Sequence, residues 1–240
     1  MKLDAFTMID YGDSAILVEF SKVFSEEAWK KAHYLAKRLE ARRLRGITEV
    51  FPTYTTVLVV FNPLITDNHE IKAQVGDIAA AAAAPEDTPA QSCPHYRLPV
   101  LFGGEWGPEL PFVASHLGIS EQALIASFCD GFRKIITFAT FCGFLMEGAP
   151  FKERIPRMTS PRTQVPGGYV AVAGNQTAVV PVTSPSGWQT IGHCPVRIID
   201  LEAAPPVPYK PGDYIEFFPI TAAEQALYAG KTIHEMRVMQ

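Results

Sequence analysis

The chain has no long hydrophobic run, no excess of positive charge and no closely spaced pair of cysteines. Its longest purely apolar stretch covers residues 78–84, far short of the roughly 20 residues that a membrane-spanning helix needs. It has 21 lysines and arginines against 25 acidic residues, which disfavours binding to nucleic acid or anionic membranes through a basic face. The first residues lack the apolar core of a signal peptide. A cytoplasmic protein is expected.

Self-sufficient catalytic and metal-binding motifs are also missing. The sequence contains no GxxxxGK[ST], GxGxxG, HExxH or GxSxG motif. The six histidines have no ligand-like spacing, and the four cysteines contain no Cys-x-x-Cys pair. We therefore expect no metal, free cysteines, and no nucleotide-phosphate loop in this chain alone.

The first eighty-odd residues predict two pairs of strands, each pair followed by a helix. Ser25 precedes two glutamates, which is typical of a helix start. The order strand, strand, helix, strand, strand, helix favours a small α+β sandwich with its helices on one face. The strands are predicted at residues 6–11, 14–20, 49–54 and 56–61, and the helices at 25–46 and 67–84.

A proline-rich stretch, PEDTPAQSCP at residues 85–94, predicts a linker between domains at 1–88 and 89–240. Beyond it, turn residues interrupt short apolar runs at intervals of about ten residues, which is typical of a β-barrel or sandwich. Strands are predicted there at 96–101, 134–138, 169–173, 178–182, 196–200 and 214–217, and helices at 108–117, 120–128 and 221–229.

Residues 156–195 concentrate arginine, glycine and a tryptophan in forty positions. Glycine-rich loops let backbone amides approach a ligand, and an arginine can hold a carboxylate through two hydrogen bonds. Composition alone leaves two interpretations open here. These residues form either a ligand site or tight barrel turns around a core tryptophan.

Three segments resemble one known family. Residues 99–110, PVLFGGEWGPEL, resemble the PxxYGGexGPDL signature of the carboxyltransferase C/D subdomain family. Residues 156–195 resemble its PRxxxPRxxVPxGSVxIAGxQTxIYPxxSPGGWxxIGRTP block, and residues 211–220 resemble its closing PGDxVxFxPI. Members include allophanate hydrolase subunit 1, the B subunit of bacterial 5-oxoprolinase and a sporulation kinase inhibitor.

The resemblance implies a ferredoxin-like α/β domain followed by a cyclophilin-like β-barrel. It also implies a subunit of an ATP-dependent amidohydrolase of the 5-oxoprolinase or allophanate hydrolase type, inactive alone, that acts on a small cyclic amide or ureido acid. The implied partners are a second cyclophilin-like barrel subunit and a third, ATP-using subunit.

Two alternatives remain open. The chain could be the carboxyltransferase component of a biotin-dependent carboxylase, with biotin carried on another chain, or a non-catalytic inhibitor of a histidine kinase. The sequence also departs from the family pattern. Ser127 stands where a histidine is usual, Tyr169 replaces a serine, and His193-Cys194 replaces Arg-Thr; Ser186 replaces a glycine, and residues 139–147 keep little of the GFxPGFxYL loop.

On the enzyme interpretation, the substrate site is expected within residues 156–195. The candidate binding residues are Arg157, Arg162, Gln176, Thr177, Gly187 and Trp188. Arg162 would anchor a substrate carboxylate, with Arg157 as the alternative anchor. Gln176 and Thr177 would hydrogen-bond an amide, and Trp188 would form a flat apolar wall.

Overall fold

The structure, a computed structural model, describes residues 6–82, 93–147 and 153–238. The chain divides into two compact units, Met1–Ala90 and Gln91–Gln240. The predicted boundary between residues 88 and 89 and most of the predicted linker lie outside the described residues, so that boundary stays a prediction. None of the helices in the described ranges has the length and apolar character of a membrane span.

The first unit is a four-stranded sheet with two helices. In chain order its elements are β1 (Thr7–Asp10), β2 (Ala15–Glu19), α1 (Glu26–Arg42), β3 (Ile47–Thr53), β4 (Thr56–Phe61) and α2 (Asn68–Ala82). The strands lie in the order β1-β2-β4-β3, and each neighbouring pair is antiparallel. Ser25 caps the start of helix α1, and its Oγ accepts a hydrogen bond from the Ala28 amide. The predicted order of strands and helices is confirmed.

The ferredoxin-like expectation for this unit is not confirmed. That fold runs β-α-β-β-α-β, whereas this chain forms the β1–β2 hairpin before its first helix. Strand β4 lies between β2 and β3, so β2, α1 and β3 form a split β-α-β unit. That unit is the part that the two arrangements share.

The second unit is built around a closed β-barrel. In chain order its elements are β5 (His95–Phe102), α3 (Leu110–His116), α4 (Glu121–Phe128), β6 (Phe132–Phe138), a 3₁₀ turn (Thr140–Cys142), β7 (Phe144–Glu147), β8 (Arg162–Val165), β9 (Tyr169–Ala173), β10 (Gln176–Val180), β11 (Ser184–Ser186), β12 (Gln189–His193), β13 (Tyr214–Pro219), α5 (Gln225–Tyr228), a second 3₁₀ turn (Ile233–Met236) and β14 (Arg237–Val238).

Seven strands close the barrel in the order β12-β9-β10-β7-β6-β13-β5, because β5 also pairs with β12. Strand β14 pairs with the first residues of β5, His95 and Tyr96, whereas β12 pairs with its last residues. Strands β8 and β11 pair in a separate small sheet. This architecture fits the expected cyclophilin-like barrel.

Strands β9 and β10 are buried on both faces. A ligand can approach only their outer face, because their inner face belongs to the barrel core. Val170, Val172 and Val179 belong to the barrel core. Their strand neighbours Tyr169, Ala171 and Val180 face outward, where they pack with Val165 of β8 and with Trp188. The two pockets described in the next subsection lie against the outer face of β9 and β10.

The strand predicted at residues 196–200 is wrong. Val196 and Ile198 do fill the barrel core, so their alternation reflects burial. The backbone makes only an isolated bridge, between Arg197 and Thr232. Alternating apolar residues show which side chains are inside, but they do not show that the backbone pairs with a neighbouring strand.

Candidate ligand-binding site

The barrel carries a pocket of about 340 Å³ on its outer face. Arg157, Gly187 and Trp188 line it, and Tyr169 of β9 forms part of its wall. The Arg157 guanidinium carbon lies 5.8 Å from the centroid of the Trp188 ring, within the range of a cation–π interaction. A cation and a flat apolar surface therefore stand side by side. That combination suits a small planar anion.

A second hollow of about 330 Å³ shares Arg157 with this pocket. Arg154, Gly174 and Gln176 also line it, and none of its lining residues in the described part of the chain is acidic. Within the described residues, neither Arg154 nor Arg157 forms an ion pair. Two guanidinium groups and one amide side chain therefore surround the space. A carboxylate or a phosphate fits these donors.

The structure separates Thr177 from Gln176. Successive residues of a strand point to opposite faces, and Gln176 lines the outer hollow. Thr177 is fully buried and pairs in register with Val172 and Met146, both in the barrel core. It therefore cannot join Gln176 in binding an amide at the outer surface, which corrects that prediction.

Arg162 lies on β8 and lines neither of these two pockets, and its guanidinium binds the Glu109 carboxylate. Glu109 is buried, and its second oxygen accepts a hydrogen bond of 3.0 Å from the Thr190 amide. A buried carboxylate needs such partners, because an uncompensated charge in the interior is costly. Arg162 therefore joins a loop to the barrel, and the geometry favours Arg157 as the carboxylate anchor.

Sequence reasoning missed Glu109, Tyr169 and His193 as members of the region. Tyr169 lines both the 340 Å³ pocket and a much smaller pocket that His193 and Arg162 line. Burial lowers the pKa of His193, although its hydrogen bond to the Gly167 carbonyl acts in the opposite direction. Glu109 stands within the PVLFGGEWGPEL segment, but no sequence pattern shows that a single acid is buried.

The described residues include no group of three or more His, Cys, Asp or Glu side chains placed to hold a metal ion. Ser127, at the position of the family's usual histidine, lies on α4 and lines none of the three pockets above. The two arginine-lined pockets are the candidate ligand sites in the described part of the barrel.

Comparisons with known proteins agree on one family. The chain is 28% identical over 225 residues to the B subunit of 5-oxoprolinase from Bacillus subtilis, covering 90% of this chain and 94% of that protein. It is 31% identical over 213 residues to the B subunit of 5-oxoprolinase from Escherichia coli O157:H7, covering 87% and 93%. The crystal structure of TTHA0988 superposes with a TM-score of 0.72 at 26% identity; the match covers 88% of this chain and only 40% of that protein. The family model "Carboxyltransferase domain, subdomain C and D" matches residues 6–209. The chain belongs to the carboxyltransferase subdomain C and D family.

Proposed function

We propose that the chain is a subunit of a 5-oxoprolinase-type complex and that its barrel binds a small cyclic amide or ureido acid. The relatives named as 5-oxoprolinase B subunits support this, because they align along nearly their whole lengths. In such a complex a second barrel subunit would complete the site, and a third subunit would use ATP.

The observation that carries the proposal is Arg157, which lies between the two outer pockets. A substrate carboxylate would bind Arg157 and Arg154, since paired guanidinium groups are strong carboxylate donors. The planar amide ring would lie against Trp188. Gln176 would donate to or accept from the amide at the edge of the neighbouring hollow.

Among the described residues, those that line the 340 Å³ pocket do not form a complete set of catalytic groups. Arg157 and Tyr169 are its ionisable lining residues, and arginine stays protonated, so it cannot act as a base. We therefore expect the purified chain alone to bind ligand without hydrolysing it. Turnover requires the other subunits.

The test is the affinity of the reconstituted complex for 5-oxoproline, measured by calorimetry with Arg157→Lys and Arg157→Ala. Losing a charge-assisted hydrogen bond costs about 1.5–3 kcal/mol, which weakens binding roughly ten- to hundred-fold. Lysine should not restore affinity, because an ammonium lacks the planar pair of donors. Arg197→Ala, an exposed arginine of the same unit, is the matched control and should bind normally.

Unchanged affinity in both Arg157 variants would remove this pocket from the proposed site. Hydrolysis of 5-oxoproline by the single chain would contradict the need for partners. A biotinylated protein in the purified complex, seen by mass spectrometry, would favour the carboxyltransferase alternative.

A further inference from the structure

The small pocket beside Tyr169, which we call the polar pocket, has a volume of about 20 Å³. One water molecule fits this volume, since a bound water needs a cavity of about 10–15 Å³. Arg162, Thr190 and His193 line the polar pocket. Tyr169 also lines the 340 Å³ pocket, so the two spaces meet at this side chain.

A β-bulge brings Thr190 and His193 to the same face of β12. Residues three apart on a regular strand point to opposite faces. Here the register with β9 shifts between Thr190 and Gly192, so that Thr190 pairs with Ala171 and His193 with Tyr169. The inserted residue, Ile191, turns into the barrel core. Both polar side chains therefore face outward with Tyr169, as bulges often arrange at functional sites.

Two glycines hold this bulge in place. A Cβ on Gly107 would lie 2.1 Å from the Ile191 carbonyl oxygen, and one on Gly192 would lie 2.6 Å from a Val100 methyl carbon. Neither approach leaves space for a side chain. The GGEWGPEL loop and β5 therefore pack directly against the bulged backbone, which keeps Thr190 and His193 in fixed positions.

The hydrogen bonds of His193 determine which of its nitrogens is free. Nε2 lies 2.9 Å from the Gly167 carbonyl oxygen. A carbonyl only accepts, so Nε2 carries the proton and Nδ1 of the neutral ring is an acceptor. His193 Nδ1 and Thr190 Oγ1 are both buried, and neither has a hydrogen-bonding partner among the described protein groups. Buried polar atoms of this kind are normally satisfied by an ordered water.

We propose that the polar pocket binds one water molecule between Thr190 Oγ1 and His193 Nδ1, and that His193 accepts a proton from this water when a ligand occupies the neighbouring pocket. As the water oxygen bonds to the amide carbonyl carbon of that ligand, one water proton moves to Nδ1 and the carbonyl π electrons pass to the carbonyl oxygen. The resulting imidazolium ring keeps its Nε2 bond to Gly167. This inference deepens the proposed function and rests on it.

Charged groups around the polar pocket affect this transfer in opposite directions. Glu105 and Arg162 line the polar pocket. Glu109 does not line it but binds the Arg162 guanidinium. The two carboxylates stabilise an imidazolium, while the arginine cation disfavours it. Tyr169 is the remaining titratable group on the pocket wall. Desolvation lowers the pKa of His193, which keeps the ring neutral and able to accept at neutral pH.

The first experiment is nuclear magnetic resonance on the full chain, with ¹⁵N-labelled histidine. We expect His193 to be protonated on Nε2 and to have a pKa below that of free histidine measured in the same buffer. A long-lived water should give cross-relaxation to the Thr190 methyl group and to the His193 ring. The nearly isosteric Thr190→Val should remove that signal while leaving the melting temperature within a few degrees.

A proton on Nδ1, a polar pocket without a long-lived water, or a water signal unchanged in Thr190→Val would each overturn the water site. These readouts need neither substrate nor partner subunits. They therefore decide the water site even if the reconstituted complex fails to hydrolyse 5-oxoproline, a result that would count against the proposed function.

The second experiment is the pH dependence of turnover by the reconstituted complex. His193→Gln should lower kcat at least ten-fold with little change in KM, and should remove the acidic limb of the kcat/KM profile. Thr190→Val should lower kcat less and keep that limb. Normal kcat and an unchanged acidic limb in His193→Gln would overturn the role of proton acceptor and leave the proposed function standing.

Discussion

Arg157 and Arg162 are near neighbours in the sequence, and the barrel places their guanidinium groups against different partners. Arg157 faces the Trp188 ring in an open pocket, whereas Arg162 binds the buried Glu109. The difference lies in what surrounds each guanidinium. A cation already matched by a buried acid is less available to a ligand than one without an acidic partner among the described residues.

At the residue scale we therefore predict that Arg162→Ala lowers stability more than ligand affinity. Glu109 would keep its hydrogen bond from Thr190 but lose its counter-ion. Because the Arg162 side chain is 38% exposed, solvent screens part of the loss, and we expect about 1–2 kcal/mol in urea unfolding. Arg197→Ala is again the control. If Arg162→Ala had normal stability but weakened ligand affinity, Arg162 would be the carboxylate anchor instead of Arg157.

At the scale of an element, the turn between β6 and β7 contains two residues with a strained backbone conformation. Phe141 and Cys142 both adopt positive φ, at 55° and 57°, which non-glycine residues rarely do. The Cys142 carbonyl accepts a hydrogen bond from the Tyr209 hydroxyl, and Thr140 lines the 340 Å³ pocket. Strain of this kind is commonly found at binding sites.

This turn gives a pair of substitutions with opposite expected signs. Phe141→Gly relieves about 1–2 kcal/mol of left-handed strain and adds about 0.5–1 kcal/mol of chain entropy, so a net gain of about 0.5 kcal/mol is expected. Thr140→Gly relieves no such strain and should cost about 0.5–1 kcal/mol. Urea unfolding of both variants measures the difference. Equal destabilisation by the two would show that the turn is unstrained in solution.

At the scale of the whole molecule, the chain divides into two units with separate hydrophobic cores. The first core lies between α1, α2 and the four-stranded sheet, and the second fills the barrel. Each unit starts one of its helices with a serine cap. Ser25 accepts from the Ala28 amide and Ser120 from the Ala123 amide, each at 3.1 Å.

We predict that fragments 1–88 and 89–240 each melt cooperatively, because a polar, proline-rich connector buries little surface. Within the full chain, Ser25→Ala should destabilise only the first unit and Ser120→Ala only the second, each by about 1 kcal/mol. Calorimetry of the fragments and of both variants tests this. A fragment without a cooperative transition would place the boundary elsewhere.

Local sequence patterns predicted the elements of the first unit well, because capping residues and apolar spacing act over a few neighbouring positions. The barrel was predicted less completely. Strands β7, β8, β11, β12 and β14 were not predicted from the sequence. β8 and β11 are short segments paired with each other, and β12 carries a bulge that breaks its alternation. Such strands are stabilised by pairing with neighbouring strands, so their own residues only weakly predict strand structure.

Residue types at fixed spacings were enough to predict the family, the general order of elements and the block that contains Arg157 and Trp188. Which residues of that block share a pocket could be seen only in the folded barrel. Closure of the barrel turned Thr177 into the core and Gln176 outward, and the contact with Glu109 occupied Arg162. Alternation along a strand shows that neighbouring side chains lie on opposite faces, but which face is buried depends on partners distant in the chain, and one bulged residue reverses the assignment.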